Sequence, residues 1–211
     1  RFMAFSRWAA PMFGVIAALL AAAGLYLGFT APADYQQGLT VRIMFIHVPA
    51  AQIAMFAYVA LAVASFLSLV FRHVLADAAA QAAAPLGAAF AFLTLVTGSL
   101  WGRPMWGTWW VWDARLTSVL ILFLLYVAYM ALRASLDDEA KAARAAAILA
   151  LVGSINIPII HYSVEWWNSL HQGSSIFAEG GPAMPPVFLI PLLLMSLAYL
   201  SAFGSLWLVR I

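Results

Sequence analysis

Six long apolar stretches, separated by short polar connections, dominate the sequence. They lie near 11–30, 43–71, 82–100, 116–133, 146–163 and 186–208. Each is long enough to cross the hydrocarbon core of a bilayer, which takes about 20 helical residues. The interiors of all six lack Asp, Glu, Lys and Arg. The pattern predicts an all-α membrane protein of six transmembrane helices, with residues 1–211 forming a single integral membrane domain.

The composition agrees with a membrane location. Hydrophobic residues make up 66% of the chain and charged residues only 9%, whereas about a quarter of the residues in a soluble domain are charged. The sequence contains no Cys, which excludes disulfides, thiolate metal sites and covalent haem attachment through a CxxCH motif. Any cofactor that this sequence binds must therefore be held non-covalently.

The Lys and Arg residues are distributed unevenly over the connections. With six helices, both termini lie on the same side of the membrane. That side carries seven of the ten Lys and Arg residues, and the other side carries Arg42, Arg103 and Arg115. Because cytoplasmic connections are enriched in Lys and Arg, we predict that both termini are cytoplasmic. The segment 101–115, between the third and fourth helices, then lies on the outer side, as do the loops 31–42 and 164–185.

The segment 101–113, "WGRPMWGTWWVWD", holds five of the nine Trp residues. Trp faces stack on flat conjugated ligands and offer a large apolar area at low entropic cost. Gly102 and Gly107 would let a ligand or backbone approach closely. The alternative is an aromatic belt that anchors the segment at the membrane surface. A short helix lying on the membrane and an irregular loop are both compatible with this sequence.

Charged residues flank the Trp-rich segment. Asp113 precedes the predicted fourth helix, where Asp is a good N-cap, and it could also pair with Arg115. Arg103 and Arg115 could hold carboxylates or phosphates of a ligand. Alternatively, both could be interface residues whose charged ends extend to water.

Three of the four histidines fall on the predicted outer side, namely His47, His161 and His171, whereas His73 lies on the cytoplasmic side. Two neutral imidazoles around a flat aromatic ligand describe axial ligation of haem iron. The spacing between these histidines is long, so it does not show which of them converge. Zinc is the competing metal, but the sequence has no HExxH or other closely spaced His motif.

Three stretches carry a family resemblance. "WGRPMWGTWWVWDARLTS" resembles the WWD signature of haem-handling membrane proteins. With "RIMFIHVPAAQ" and "NIPIIHYSVEWWNSLHQGSS", the chain resembles the haem exporter protein C (CcmC) family of the system-I cytochrome c maturation machinery. The resemblance covers about 41–175, and the helix count extends it to the rest. It implies a bacterial inner-membrane protein that binds haem b non-covalently, in transit, at its periplasmic face.

The resemblance also implies roles for individual residues. His47 and His171 would be the axial ligands of the haem iron, and Arg103 and Arg115 would contact the haem propionates. No catalytic group is expected. His161 would be a hydrogen-bonded residue at a helix end or a partner that orients a ligand. The haem-binding WWD segment would comprise Trp101, Trp106, Trp109, Trp110, Trp112 and Asp113.

The partners implied by the resemblance are other proteins of the same machinery. They are the haem chaperone CcmE, the ABC-transporter subunits CcmA and CcmB, and the small membrane protein CcmD. Haem would be loaded onto a His of the chaperone, and ATP hydrolysis by the transporter subunits would help to release it. This sequence has no Walker motif, so the ATPase would be another chain. Membrane lipid surrounds the helices, and no nucleic acid is expected as a partner.

Other functions are compatible with a six-helix chain. A WWD-type haem lyase would attach haem directly to apocytochrome c, but such chains are typically longer. An ion-coupled transporter usually places ionisable residues near the bilayer midplane, and the helices lack them. A b-type electron carrier needs His pairs on facing helices, and His73 has no His partner on the cytoplasmic side.

Overall fold

A computed structural model describes residues 2–171 and 184–211, which are almost entirely helical. A 3₁₀ helix, Leu39–Ile43, precedes the second α-helix. The α-helices are α1 (Phe2–Thr30), α2 (Met44–Phe71), α3 (Val74–Trp106), α4 (Ala114–Ser135), α5 (Glu139–Gly153), α6 (Asn156–Trp166) and α7 (Pro186–Arg210). The 3₁₀ helix with α2, and α5 with α6, each form one span, so the described residues contain six spans long and apolar enough to cross a membrane. The structure confirms the predicted all-α class and the six spans.

Three helices, α1, α3 and α5, begin well before the apolar stretches that predicted them. α1 begins at Phe2 and α3 at Val74, because the residues before each apolar stretch are rich in Ala, a strong helix former. The side chain of His73 caps α3 by accepting a hydrogen bond from the Ala76 N–H at 3.3 Å. Hydropathy locates the membrane-crossing part of each helix and misses these extensions.

The fifth span is interrupted in its middle. α5 ends at Gly153 and α6 begins at Asn156. Pro158 has no N–H to donate to the carbonyl of Ser154, and the Ile157 N–H donates to that carbonyl instead at 3.1 Å. The buried Asn156 side chain donates to the carbonyl of Ser118 in α4 at 2.8 Å, which satisfies its amide inside the bundle.

The core of the bundle is formed mainly by residues of α2, α3 and α4, joined by a few from α5, α6 and α7. Tyr58 and Tyr126 are fully buried, and their rings meet edge to face with centroids 5.0 Å apart. The Tyr126 hydroxyl donates to the carbonyl of Ala54 at 2.7 Å. α1 packs along α7, where an added Cβ at Gly24 would lie 2.8 Å from Met195 Cγ. The small residues of α1 thus serve close helix packing.

Three connections meet at one end of the bundle, which we call the Trp-rich end. The Trp101 indole N–H, at the end of α3, donates to Gln37 Oε1 in the first connection at 3.0 Å. Ser169, beyond α6, donates to Asp113 at 2.6 Å. Helix ends at the opposite end are joined by the ion pair of Asp77 and Arg133, with N···O distances of 2.9 and 3.1 Å. The periplasmic orientation of the Trp-rich end stays a prediction from the charge distribution.

Candidate functional site

His47 lies in the first turn of α2 and turns its ring toward α3. Its Nδ1 is 3.1 Å from the Thr97 hydroxyl, and its ring meets Trp101 edge to face at 5.7 Å between centroids. The backbone of Gly98 passes against the ring, because an added Cβ there would lie 3.0 Å from His47 Cε1. Thr97, Gly98 and Trp101, which lie within about one turn of α3, therefore enclose His47 on one side.

Trp101 is itself fixed by the first connection. Gln37, which accepts the hydrogen bond of the Trp101 indole, receives its own support from Asp34. The Asp34 carboxylate accepts hydrogen bonds from the backbone N–H groups of Gln36 and Gln37, both at 2.9 Å. The loop between α1 and α2 therefore determines the orientation of the indole that packs on His47.

His171 is held by a second set of contacts, five residues beyond the end of α6. Its Nδ1 lies 3.6 Å from Asp113 Oδ2, and its backbone N–H donates to the Ser169 hydroxyl oxygen at 3.2 Å. Ser169 in turn donates to the same carboxylate oxygen at 2.6 Å. The His171 ring packs against Trp106, with 4.9 Å between centroids.

Asp113 also caps α4, as predicted. Its Oδ1 accepts a hydrogen bond from the Leu116 N–H at 2.8 Å, the bond that defines an N-cap. Burial raises the pKa of this carboxyl, but the hydrogen bonds from the Ser169 hydroxyl and the Leu116 N–H outweigh burial and hold the pKa below its ordinary value. Asp113 is therefore an anion at neutral pH.

The environment of His171 favours its neutral form. Burial lowers the pKa of the imidazole, the Asp113 carboxylate opposes that shift, and the positive charge of Arg115 adds to it, so that the pKa lies below the ordinary value of 6.5. A neutral imidazole has a free lone pair on one ring nitrogen, which is the form that binds a metal. His47 and His171 lie at the same end of the bundle, beside Trp101 and Trp106, although they are far apart in sequence.

The Trp-rich segment is neither a surface helix nor wholly a loop. α3 continues through its first six residues and ends at Gly107, which has φ 77° and a backbone N–H that donates to the Arg103 carbonyl at 3.1 Å. Trp109 and Trp112 are exposed, at 56% and 75%. Trp110 is half-buried and meets Trp112 edge to face at 5.5 Å between centroids.

The two nominated arginines have different surroundings. Arg103 is exposed and donates to the carbonyl of Gly107. Arg115, in the first turn of α4, extends its side chain to α6. There its Nε donates to Ser163 Oγ at 3.0 Å and its Nη2 donates to the His161 carbonyl at 3.2 Å. Arg115 therefore ties the start of α4 to α6, a structural contact that its position in the sequence did not suggest.

Arg42 is a further cation at this end of the bundle that the sequence interpretation did not nominate. Its Nη2 donates to the Ala31 carbonyl at 2.9 Å. Its Nε is buried and has no hydrogen-bond partner among residues 2–171 and 184–211. The available signal was its position, five residues before His47 on the predicted outer side.

His161 lies in the middle of α6, not at the helix end that the sequence suggested. Its ring packs edge to face on Tyr162 at 4.7 Å between centroids, and its backbone carbonyl accepts a hydrogen bond from Arg115 Nη2. The alternative role of its side chain, as a partner that orients a ligand, stays a prediction.

A cavity in the described residues lies away from the candidate site. A cavity of about 620 Å³ lies at the opposite end of the bundle, between α2, α3 and α7, and its lining is almost wholly apolar. None of the nominated residues lines it. In the described part of the chain, no three His, Asp or Glu residues are grouped so that they could hold a metal ion by themselves. This argues against zinc and leaves the paired imidazoles to be explained.

Comparison with known proteins identifies the family. The family model described as Heme exporter protein C (CcmC) matches residues 1–211. The chain belongs to this family.

Individual relatives agree with the family match. Heme exporter protein C of Bradyrhizobium diazoefficiens is 57% identical over 206 residues, which cover 98% of this chain and 78% of the relative. The protein of that name from Escherichia coli K12 is 54% identical over 179 residues, covering 84% and 73% of the two chains. A putative cytochrome c biosynthesis ccmC-like mitochondrial protein of Marchantia polymorpha is 46% identical over 186 residues, covering 88% and 78%.

Proposed function

We propose that this protein binds haem b non-covalently at its Trp-rich end and delivers it to a periplasmic haem chaperone, CcmE, for cytochrome c maturation. Membership of the Heme exporter protein C family supports the cargo and the process. One observation in the structure carries the proposal furthest: two imidazoles from distant segments lie at the same end of the bundle, each with a Trp packed on it.

The two histidines have the chemistry of axial ligands. Each has an oxygen beside its Nδ1, the hydroxyl of Thr97 at 3.1 Å for His47 and the carboxylate of Asp113 at 3.6 Å for His171. In metal-binding histidines the nitrogen that does not bind the metal usually faces such a polar partner. This leaves the two Nε2 atoms for the iron of one haem. The indoles of Trp101 and Trp106, next to the two rings, would contact the porphyrin edge.

The carboxylates of haem require cations near the same site. Arg103 and Arg115 remain the proposed propionate contacts. Arg115 offers Nη1, which has no hydrogen bond to any described residue, while its other nitrogens bind α6. We add Arg42, because its buried Nε–H, which has no acceptor among the described residues, would donate a hydrogen bond to a propionate oxygen.

An open site at the edge of a membrane suits a cargo that is held and then passed on. The WWD residues Trp109, Trp110 and Trp112 would shield one side of the porphyrin from water or hold the segment at the membrane surface. We propose that the Trp-rich end faces the periplasm from the bacterial inner membrane. The protein would act there in a complex with CcmA, CcmB and CcmD, which would supply ATP hydrolysis.

The ligand assignment is tested with purified protein and three single variants. His47→Ala and His171→Ala should each lose the low-spin spectrum of six-coordinate haem. His73→Ala is the matched control, because His73 lies at the opposite end of the bundle and only caps α3. If both site variants keep the wild-type spectrum, the assignment of His47 and His171 is wrong.

Delivery is tested by offering the haem-loaded protein two acceptors. Transfer to the isolated periplasmic domain of the haem chaperone, with none to a CxxCH apocytochrome c, is the expected result. Attachment to the apocytochrome without a chaperone would instead show a haem lyase, the alternative function for a protein with a WWD segment.

A further inference from the structure

The hydroxyl of Thr97 lies within hydrogen-bond distance of the ring of His47. Thr97 is buried in α3 with 8% of its surface exposed, and its Oγ1 lies 3.1 Å from His47 Nδ1. A hydroxyl can either donate to an imidazole nitrogen or accept from it. Which of the two happens here decides the position of the imidazole proton.

A second hydrogen bond of Thr97 settles this choice. Its Oγ1 lies 2.6 Å from the carbonyl oxygen of Leu93, one turn earlier in α3. A carbonyl oxygen only accepts, so the single hydroxyl proton of Thr97 is directed to Leu93. The bond between Thr97 and His47 must then run the other way, with Nδ1–H donating to Oγ1. The neutral ring consequently carries its proton on Nδ1 and its lone pair on Nε2.

We propose that Thr97 is a positioning residue that holds His47 in the Nδ1–H tautomer and so presents Nε2 to the haem iron. This rests on the proposed function, in which His47 is an axial ligand. The opposite tautomer carries its proton on Nε2 and offers no lone pair there. A hydrogen bond from Nδ1–H also increases the electron donation of the other nitrogen to a metal.

The neighbours of Thr97 restrict the rotation of the same ring. Gly98 leaves only enough room for the edge of the imidazole, since an added Cβ would lie 3.0 Å from Cε1 and 3.5 Å from Nδ1. Trp101 closes the next side at 5.7 Å between centroids. Tautomer and ring orientation are therefore set together by one turn of α3.

Three variants of the full-length, haem-loaded protein test the role of the hydroxyl. Thr97→Val removes it at nearly constant volume, and Thr97→Ser keeps it. Thr94→Val is the matched control, because Thr94 is equally buried in α3 and its hydroxyl donates to the carbonyl of Phe90. Haem dissociation, the ferric electron paramagnetic resonance spectrum and the reduction potential are measured, together with thermal unfolding of the haem-free protein.

Thr97→Val should raise the dissociation constant for haem about 10-fold to 100-fold, the range found when a partner that orients a metal ligand is removed. It should also shift the resonance spectrum and raise the reduction potential, since a weaker donor stabilises ferric iron less. Thr97→Ser should restore wild-type behaviour. If Thr97→Val matches Thr94→Val in all three haem readouts, the proposal is wrong.

A double-mutant cycle separates this proposal from the ligand assignment. In a His47→Ala background, Thr97→Val should have no further effect on haem binding, because the ring that it orients is absent. If His47→Ala keeps the wild-type spectrum, the ligand assignment fails. If His47→Ala loses that spectrum while Thr97→Val does not differ from Thr94→Val, only the role of Thr97 fails. If Thr97→Val unfolds, Thr97→Ala is measured in its place.

Discussion

The two histidines of the candidate site are held by different means. His47 sits between two long helices, and the hydroxyl next to it belongs to a neutral residue, Thr97. His171 lies on a connection beyond the end of α6, and the oxygen next to it belongs to the Asp113 carboxylate. His47 is therefore held by helix packing, and His171 is held by the charge of Asp113.

This difference suits a site that must both hold and release its cargo. A hydrogen bond to an ionised group is roughly twice as strong as one between neutral groups, so the bond from Ser169 to the Asp113 carboxylate, at 2.6 Å, can position Ser169 and with it His171 without a rigid helix around them. The described contacts of His171 come from Trp106 at the end of α3 and from Asp113 and Ser169, whereas His47 belongs to α2 and packs directly on α3. We therefore expect that transfer of haem begins on the His171 side.

The largest effect is expected from Asp113→Ala. This change removes the N-cap of α4, worth about 1 kcal/mol, and a buried charged hydrogen bond, worth about 1.5–3 kcal/mol. It also removes the anion beside His171. Haem retention and thermal stability should both fall. Asp113→Asn can keep the bond from Leu116 while losing the charge, so it should recover stability more than haem retention.

Asp138→Ala is the control for this prediction. Asp138 caps α5 through hydrogen bonds from the N–H groups of Ala140 and Lys141, at 3.0 and 3.1 Å, in the connection at the opposite end of the bundle. Its loss should leave haem binding unchanged. If Asp113→Ala and Asp138→Ala have the same effect on haem retention, then Asp113 acts as a cap alone.

An intermediate effect is expected from Gly98→Ala, which acts on the His47 side. The new methyl group would press on His47 Cε1 at 3.0 Å, and overpacking of this kind typically costs about 1–3 kcal/mol. Haem affinity should fall, as measured by competition with a haem-binding protein. Gly204→Ala is the control, because the nearest atom to a Cβ there is 3.9 Å away. If Gly98→Ala and Gly204→Ala bind haem with equal affinity, the ring of His47 moves freely away from the new methyl group and the prediction is wrong.

The smallest effect is expected from Gln37→Leu. It leaves the Trp101 indole N–H without its acceptor at 3.0 Å, which costs about 1 kcal/mol. The effect on haem is indirect, because Trp101 packs on His47 without being a proposed ligand. A shift in Trp fluorescence and a modest increase in haem dissociation should result. Gln36→Leu, at the neighbouring exposed position, is the control and should change neither the Trp fluorescence nor the dissociation of haem.

Features that depend on local sequence were predicted well. The six spans follow from continuous apolar runs, and the capping role of Asp113 follows from its position just before a helix. The end of α3 was placed near 100, whereas the helix runs to Trp106. Pro104 lies in this last turn, and its missing N–H interrupts a helix without ending it here. Gly107 ends the helix instead, because it adopts a left-handed conformation.

Features that depend on contacts between distant segments could not be predicted. Thr97 and His47 are 50 residues apart, and Arg115 and Ser163 are 48 residues apart. Each of these residues has an ordinary local setting, and only the packing of α2 on α3 and of α4 on α6 brings them together. By contrast, the placement of His47, His161 and His171 at one end could be predicted, because it follows from counting the membrane spans between them.

The pairing of α1 with α7 has a consequence for how the chain assembles. Among the described spans α1 comes first along the chain, yet its extensive contacts are with α7, which comes last. Until α7 has been synthesised, α1 must therefore lie in the membrane without it, and its small-residue face is covered by lipid or by another protein. A chain that stops before α7 would leave that face open, and the cell could use this exposure to recognise unfinished copies.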